Sequence, residues 1–424
     1  MKQVRNSIIY LGSTLFNQAI PILILPIITA YLSPAEYGTF AIYKLLIATL
    51  IPVLGMVLDA NITRNQFLGS GGKIKDTVTT VFSILSANFL GVTLIVLLMI
   101  SIFGDLFGIP SDYLYLITLI VFTQIVNKIF LTISRNDEKP ITYGIFQVSL
   151  TVVYLFSTLF ILTQMDMGWA SFVYGLLISN ILFAIIGTIL LVQRGYLFGA
   201  LKGTGEIYKF SFPLIFHAIG GLLLVFSDRI VIDYYLGKEA VGLYSIAFQF
   251  GILMQLVTNS IINSITPDHY RLLNKASGAE GELKDLKKFE RRINLIFTAV
   301  AVPIAITLVF IFPHVVDENY HGAEKYIPWF ILAYLFRGFY QVNYNRLIQQ
   351  GKPQLISMST LSAMVLNLVL NIIFVKTYGV LAAAITSAIS FLLMMAMTHY
   401  FSRNGTQTTP PIPEDDRPQE EGHS

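Results

Sequence analysis

Apolar runs of about 20 residues recur along nearly the whole chain, each long enough to cross a hydrocarbon layer roughly 30 Å thick. A soluble core rarely needs even one such run. The repetition therefore points to a single class of fold, an all-α integral membrane protein in which each helix satisfies its own backbone hydrogen bonds in lipid. Composition agrees: 12% of the 424 residues are charged and 54% are hydrophobic, against about one quarter charged in an ordinary soluble chain. The mean hydropathy is +0.67.

With run length as the signal and charged or Gly/Pro stretches as punctuation, twelve transmembrane helices are expected. They fall at about 8–31, 38–62, 78–103, 113–133, 141–163, 169–193, 210–236, 240–265, 293–312, 327–348, 354–375 and 380–401. The first run, from Met1 to Tyr31, is basic at its start, long, and carries Asn17 and Gln18 without a convincing small-residue cleavage site. It reads as a first span and not as a removable leader.

An even number of spans puts both termini on one side, and the positive residues orient them. The loops on the far side hold only Lys238, Lys325 and Lys376, and Lys44, Lys128, Arg229 and Arg337 fall within spans. The rest of the 28 Lys and Arg lie on the side of the termini, which is therefore expected to be cytoplasmic. The cytoplasmic segment near 267–292 contains LKDLKKFERR, with the charge spacing of a solvated helix near anionic headgroups. From Gly405 the Pro-rich, acidic tail is expected to be disordered.

An internal repeat organises the rest. YLSPAEYGTFAI at Tyr31–Ile42 aligns without gaps on YLGKEAVGLYSI at Tyr235–Ile246, sharing Tyr, Leu, Gly and Ile, and Ser7 matches Ser211 at the same offset. A second echo pairs SRNDEKPITYG before span five with IQQGKPQLIS before span eleven. The expectation is two parallel six-helix bundles, 1–205 and 206–403, with 404–424 as a tail.

Several functions are excluded or disfavoured. The chain has no cysteine, so disulfides, thiolate metal sites and a cysteine nucleophile are out, and six scattered histidines suggest no metal cluster. A net charge of +3 is too small to imply nucleic acid. No Walker A sequence and no persuasive nucleophile, base and acid set occur, so no cofactor and no enzymatic role are expected.

Twelve spans in two halves, LSPAEYGTFAIY between spans one and two, and SDR followed by YYLGKEAVGLYSIA between spans seven and eight together resemble the Wzx-type polysaccharide flippases. These belong to the multidrug/oligosaccharidyl-lipid/polysaccharide exporter superfamily. The resemblance covers roughly residues 1–400. It implies a bacterial inner-membrane transporter, V-shaped and alternating in access, that moves an undecaprenyl-diphosphate-linked oligosaccharide such as an O-antigen, capsule or exopolysaccharide repeat unit. Partners implied with it are a polysaccharide polymerase and a chain-length regulator.

Such a cargo calls for cations to meet the diphosphate and for amides and aromatics to meet the sugar. Charges within spans cost about 2.5–3.5 kcal/mol each and should face a partner or a wet cavity. Arg229 and Asp233 lie four apart on one helical face and can pair, with Asp228 about 100° round. The three read either as a structural ion pair with its neighbour or as substrate and ion handling. Arg337, roughly 15 Å into span ten, reads as a cavity cation for the diphosphate or as one member of a buried pair. Lys44 and Lys128 are candidates for the same anion or snorkel to an interface. Asp59, Arg64 and Arg346, near cytoplasmic helix ends, are candidates for a gate or for headgroup contacts. Asn17, Gln18 and Gln124 are candidate hydrogen-bonding groups for sugar, or interhelical glue. Pro21 and Pro26 should weaken and bend span one. A cation-coupled multidrug exporter of the same superfamily is the competing function. A membrane polymerase would need a long outward loop that this sequence lacks.

Overall fold

The computed structural model describes residues 9–10, 12–13, 16–17, 20, 22–67, 74–275 and 280–404. Gln18, Pro21 and the tail from Gly405 lie outside them. Described residues are almost all helical, and the one strand-like feature among them is an isolated bridge between Leu106 and Ile109. The helices are α1 (Leu25–Tyr31), α2 (Pro34–Gly55), α3 (Leu58–Phe67), α4 (Ile74–Phe103), α5 (Ser111–Asn136), α6 (Pro140–Gln164), α7 (Ala170–Gln193), α8 (Thr204–Lys275), α9 (Glu280–Val315), α10 (Ile327–Gln349), α11 (Pro353–Tyr378) and α12 (Val380–Asn404).

Local signals set the boundaries. Pro34, Pro140 and Pro353 stand in the first turns of α2, α6 and α11, where a missing N–H costs nothing. Ser33 and Glu36 form a reciprocal capping box at the start of α2. Ile24 interrupts span one just before Pro26, as expected of a proline that removes a backbone donor.

Two breaks matter for the site. Span two, expected to be continuous, divides at Met56 and Val57, both left-handed with φ of 45° and 51°. Pro52, one turn earlier, cannot donate within the helix, and its carbonyl takes the Met56 N–H as a cap. Chain direction therefore changes before Asp59. Spans seven and eight join in α8 across Gly237, whose φ of 82° and ψ of 178° fit glycine alone.

Packing falls into two groups. In the first, α5 contacts α2, α3, α4, α6 and α7, and in the second, α10, α11 and α12 pack on one another and on α8. The groups meet mainly where α2 runs along α8. Long rows of large apolar side chains, such as Leu90, Leu94, Leu98 and Ile102 on α4 and Val302, Ile306 and Phe310 on α9, stay exposed. No soluble protein of this size leaves such area to water; this is a multi-pass membrane protein, and those rows face lipid.

Candidate functional site

Asp228 is 1% exposed and sits where four helical segments converge. The Tyr244 hydroxyl donates to its Oδ2, as does Ser387 Oγ at 2.8 Å, and Asn371 Nδ2 donates to Oδ1 at 2.5 Å. A second layer holds the first: Thr386 donates to Asn371 Oδ1 at 2.6 Å, and Asn371 Nδ2 also reaches Asn367 Oδ1 at 3.1 Å. Ser227 meets the same Asn367 oxygen at 3.4 Å. Among the described residues no Lys or Arg lies within ion-pair distance of this carboxylate. Its hydrogen-bond partners are thus all neutral groups.

Arg229 is next in sequence but looks elsewhere. It does not pair with Asp233, as its spacing allowed. Instead its guanidinium lies 5.0 Å from the Phe226 ring centre, 5.4 Å from Tyr244 and 4.5 Å from Phe248, and Nη1 donates to the Val225 carbonyl at 3.2 Å. Helical side chains lean toward the N-terminus, which takes Arg229 toward Val225 and away from Asp233. Asp233 is taken by Lys238 at 2.6 Å, because the break at Gly237 turns Lys238 back onto the end of its own helix.

Other intramembrane cations separate into two kinds. Lys128 pairs with Asp59 at 3.0 Å, across α5 and α3. Lys44 has an exposed side chain, lies 5.7 Å from the Phe40 ring and is within electrostatic range of Arg229. Arg337 is half-buried beside the Tyr334 ring at 5.9 Å. Among the described residues neither Lys44, Arg229 nor Arg337 forms an ion pair with a carboxylate, although Arg229 is within electrostatic range of Asp228. Asn17 keeps a buried Oδ1 unpartnered among the described residues, and Gln124 is half-buried.

A cavity of about 300 Å³ opens between α2, α5 and the first half of α8, lined by Ala48, Pro52, Gly55, Val57, Ala218 and Leu222 among others, with Asp59 and Lys128 at its wall. The two halves of the chain also touch on both sides of the molecule. On the side of the C-terminus of α12, Asn61 donates to Ser211 at 2.7 Å, and Arg64 covers the Phe210 ring at 4.8 Å. On the opposite side Lys238 also donates to the Phe107 carbonyl at 2.5 Å, Tyr320 to the Leu32 carbonyl at 2.9 Å, and the Asp317 amide to Thr29 at 3.2 Å. Arg346 stands apart from the cavity, bound through Nη2 to both oxygens of Glu290 at 2.8 and 2.9 Å, with His269 at 3.2 Å on the same carboxylate. That cluster clamps α8, α9 and α10 together.

Sequence reading passed over Tyr244, Asn371, Thr386, Ser387, Lys238 and Glu290 as site residues. Asn367 and Asn371, four apart in an apolar span, were the available signal.

Comparison with known proteins places these features in context. The signature of a family described as polysaccharide biosynthesis protein matches residues 3–268, and that of the MatE family matches residues 213–373. A Haemophilus influenzae protein described as an uncharacterised membrane protein is 23% identical over 407 residues, covering 92% of this chain and 96% of its own. A Haloferax volcanii protein named probable low-salt glycan biosynthesis flippase is 22% identical, covering 48% of this chain and 43% of its own. Among solved structures, the lipid II flippase MurJ in an inward closed conformation superposes with a TM-score of 0.71 at 16% identity, over 94% of this chain and 87% of that one. An inward-facing multidrug MATE transporter superposes with a TM-score of 0.67 at 14% identity, over 91% and 94%.

Proposed function

Because this chain belongs to the polysaccharide biosynthesis protein family of the multidrug/oligosaccharidyl-lipid/polysaccharide exporter superfamily, we propose that it is a flippase for an undecaprenyl-diphosphate-linked oligosaccharide. It carries the repeat unit from the cytoplasmic to the periplasmic leaflet of a bacterial inner membrane and breaks no bond. The side bearing most of the cations, with both termini, is cytoplasmic. A polysaccharide polymerase and a chain-length regulator act on what it delivers.

The observation that supports this reading is that, among the described residues, Lys44 and Arg337 lie within membrane spans without a carboxylate partner, while Arg229, in electrostatic range of Asp228, makes no ion pair with it and lies against aromatic rings. A cation so placed is costly unless something anionic visits it, and a diphosphate is such a visitor. The polyprenyl tail can stay in lipid while the head is sheltered. The lobes, 1–205 and 206–403, rock along the seam of α2 and α8, with Asn61, Arg64 and Asp59 gating the cytoplasmic side and Asp233 with Lys238 the periplasmic side. Asp228 is the coupling group, loading a proton or a monovalent cation from one side and releasing it to the other.

The test is complementation of a strain deleted for the gene, scoring surface glycan and the leaflet in which the lipid-linked unit accumulates. Cytoplasmic accumulation relieved by the wild-type chain, but not by Arg337→Ala inserted at normal level, is the expected result. Normal polymer from Arg337→Ala removes that residue from the site. The MatE match over 213–373 favours a second reading, a cation-coupled drug exporter. Normal surface glycan in the deletion with altered drug sensitivity would select it.

A further inference from the structure

The glycine shared by the two repeats marks a place where the two halves of the molecule meet backbone to backbone. Gly38 in α2 and Gly242 in α8 occupy the same position in the aligned segments Tyr31–Ile42 and Tyr235–Ile246. A methyl group on Gly38 would overlap the Lys238 carbonyl and stand 2.9 Å from the Gly242 amide nitrogen, whereas one on Gly242 would overlap the Pro34 carbonyl. Pro34 and Lys238 are themselves equivalent in the two repeats. Each glycine therefore meets the counterpart of the residue that meets its partner. This is the pattern of an isologous contact about a twofold axis, here within one chain.

We propose that this crossing is a pseudo-twofold latch holding the periplasmic side shut. The absence of two side chains lets α2 and α8 meet backbone to backbone, through dispersion and close carbonyl approaches instead of directional side-chain bonds. Symmetry makes the two halves of the contact form and break together. Lys238 adds an unsymmetrical lock at the same point, through Asp233 and the Phe107 carbonyl. The latch rests on the proposed two-sided transport cycle, but it concerns the joint itself and not the cargo, so it is testable without any glycolipid.

The chain contains no cysteine, so Ala218→Cys in the cavity wall is a unique reporter for a membrane-impermeant maleimide applied from the periplasmic side. Gly38→Ala and Gly242→Ala should each raise its labelling rate by about tenfold, the scale set by overpacking a tight contact, and the double variant should add little more. Gly91→Ala should leave the rate unchanged, since a methyl group there meets nothing within 4 Å. No increase in either glycine variant overturns the latch. An increase in only one, or effects that multiply in the double variant, overturns its reciprocity. Should the alanine variants fail to insert, spin labels at Ala35→Cys and Glu239→Cys report the same crossing with both glycines intact. Their separation should gain a longer population in Lys238→Met, and a single distance that never lengthens shows a fixed joint instead of a latch. Labelling that behaves as expected in a protein that moves no glycolipid would leave the latch standing and remove the proposed cargo alone.

Discussion

At the scale of single residues, what distinguishes Asp228 from Asp59 and Asp233 is the company it keeps. Asp59 and Asp233 each have a lysine within 3.0 Å. Asp228 has a tyrosine, a serine and an asparagine, none of which brings a charge. Asp228→Asn keeps the shape and removes the charge that the proposed coupling role requires. In proteoliposomes it should abolish stimulation by an imposed proton or sodium gradient while preserving gradient-independent exchange. Stimulation that survives the substitution would place coupling elsewhere. Arg229 makes a complementary case. Its aromatic cage supplies on the order of 0.5–2 kcal/mol per ring contact, and among the described residues no carboxylate lies within ion-pair distance, Asp228 acting on it only at longer range. Arg229→Gln should weaken binding of a diphosphate-bearing lipid by about tenfold or more, and Arg229→Lys should recover only part of that, because a point charge lacks the planar fork. Equilibrium binding of the lipid to the purified chain checks both, and equal affinity in all three proteins would remove Arg229 from the cargo site.

Two breaks in otherwise regular helices set where these residues point. The left-handed pair at Met56 and Val57 ends α2 and restarts the chain as α3, which swings Asp59 toward Lys128 and the cavity. A β-branched residue there is disfavoured. Val57→Gly should therefore stabilise the detergent-solubilised protein, since an L-residue in this region costs about 1–2 kcal/mol. Gly237 is the opposite case, for its backbone angles belong to glycine alone. Gly237→Ala should cost about 1–3 kcal/mol, seen as a lower midpoint in thermal unfolding, and should also loosen Lys238 from Asp233. An unchanged midpoint would mean that the turn between the two halves of α8 relaxes without loss.

Over the whole molecule, what could be read from the sequence was whatever is local along the chain. Hydrophobic run length is a one-dimensional property, so the succession of membrane-length helices was legible, nine of them among the described residues, and the repeat could be seen without knowing that its glycines meet. Spacing along a helix is necessary for contact but not sufficient, which is why Arg229 and Asp233 could share a face yet find different partners. Asp228's carboxylate is completed by Asn371 and Ser387, more than 140 residues away, and no period in the sequence announces that convergence. The same limit hid the basic-side contact, in which Asn61 and Arg64 meet Ser211 and Phe210 across the two halves. Asn61→Ala leaves a buried serine without its partner, at about 1–3 kcal/mol, and Arg64→Ala removes a cation over a ring worth about 0.5–2 kcal/mol. On the proposed alternating cycle both contacts exist only when this side is closed, so their loss should shift the molecule toward opening there, by on the order of tenfold to a hundredfold in population. In inside-out vesicles the double variant should speed maleimide labelling of Ala48→Cys in the cavity, and from the periplasmic side the rate should fall. Faster labelling from both sides at once would mean that the two closures are independent and that the molecule leaks instead of alternating.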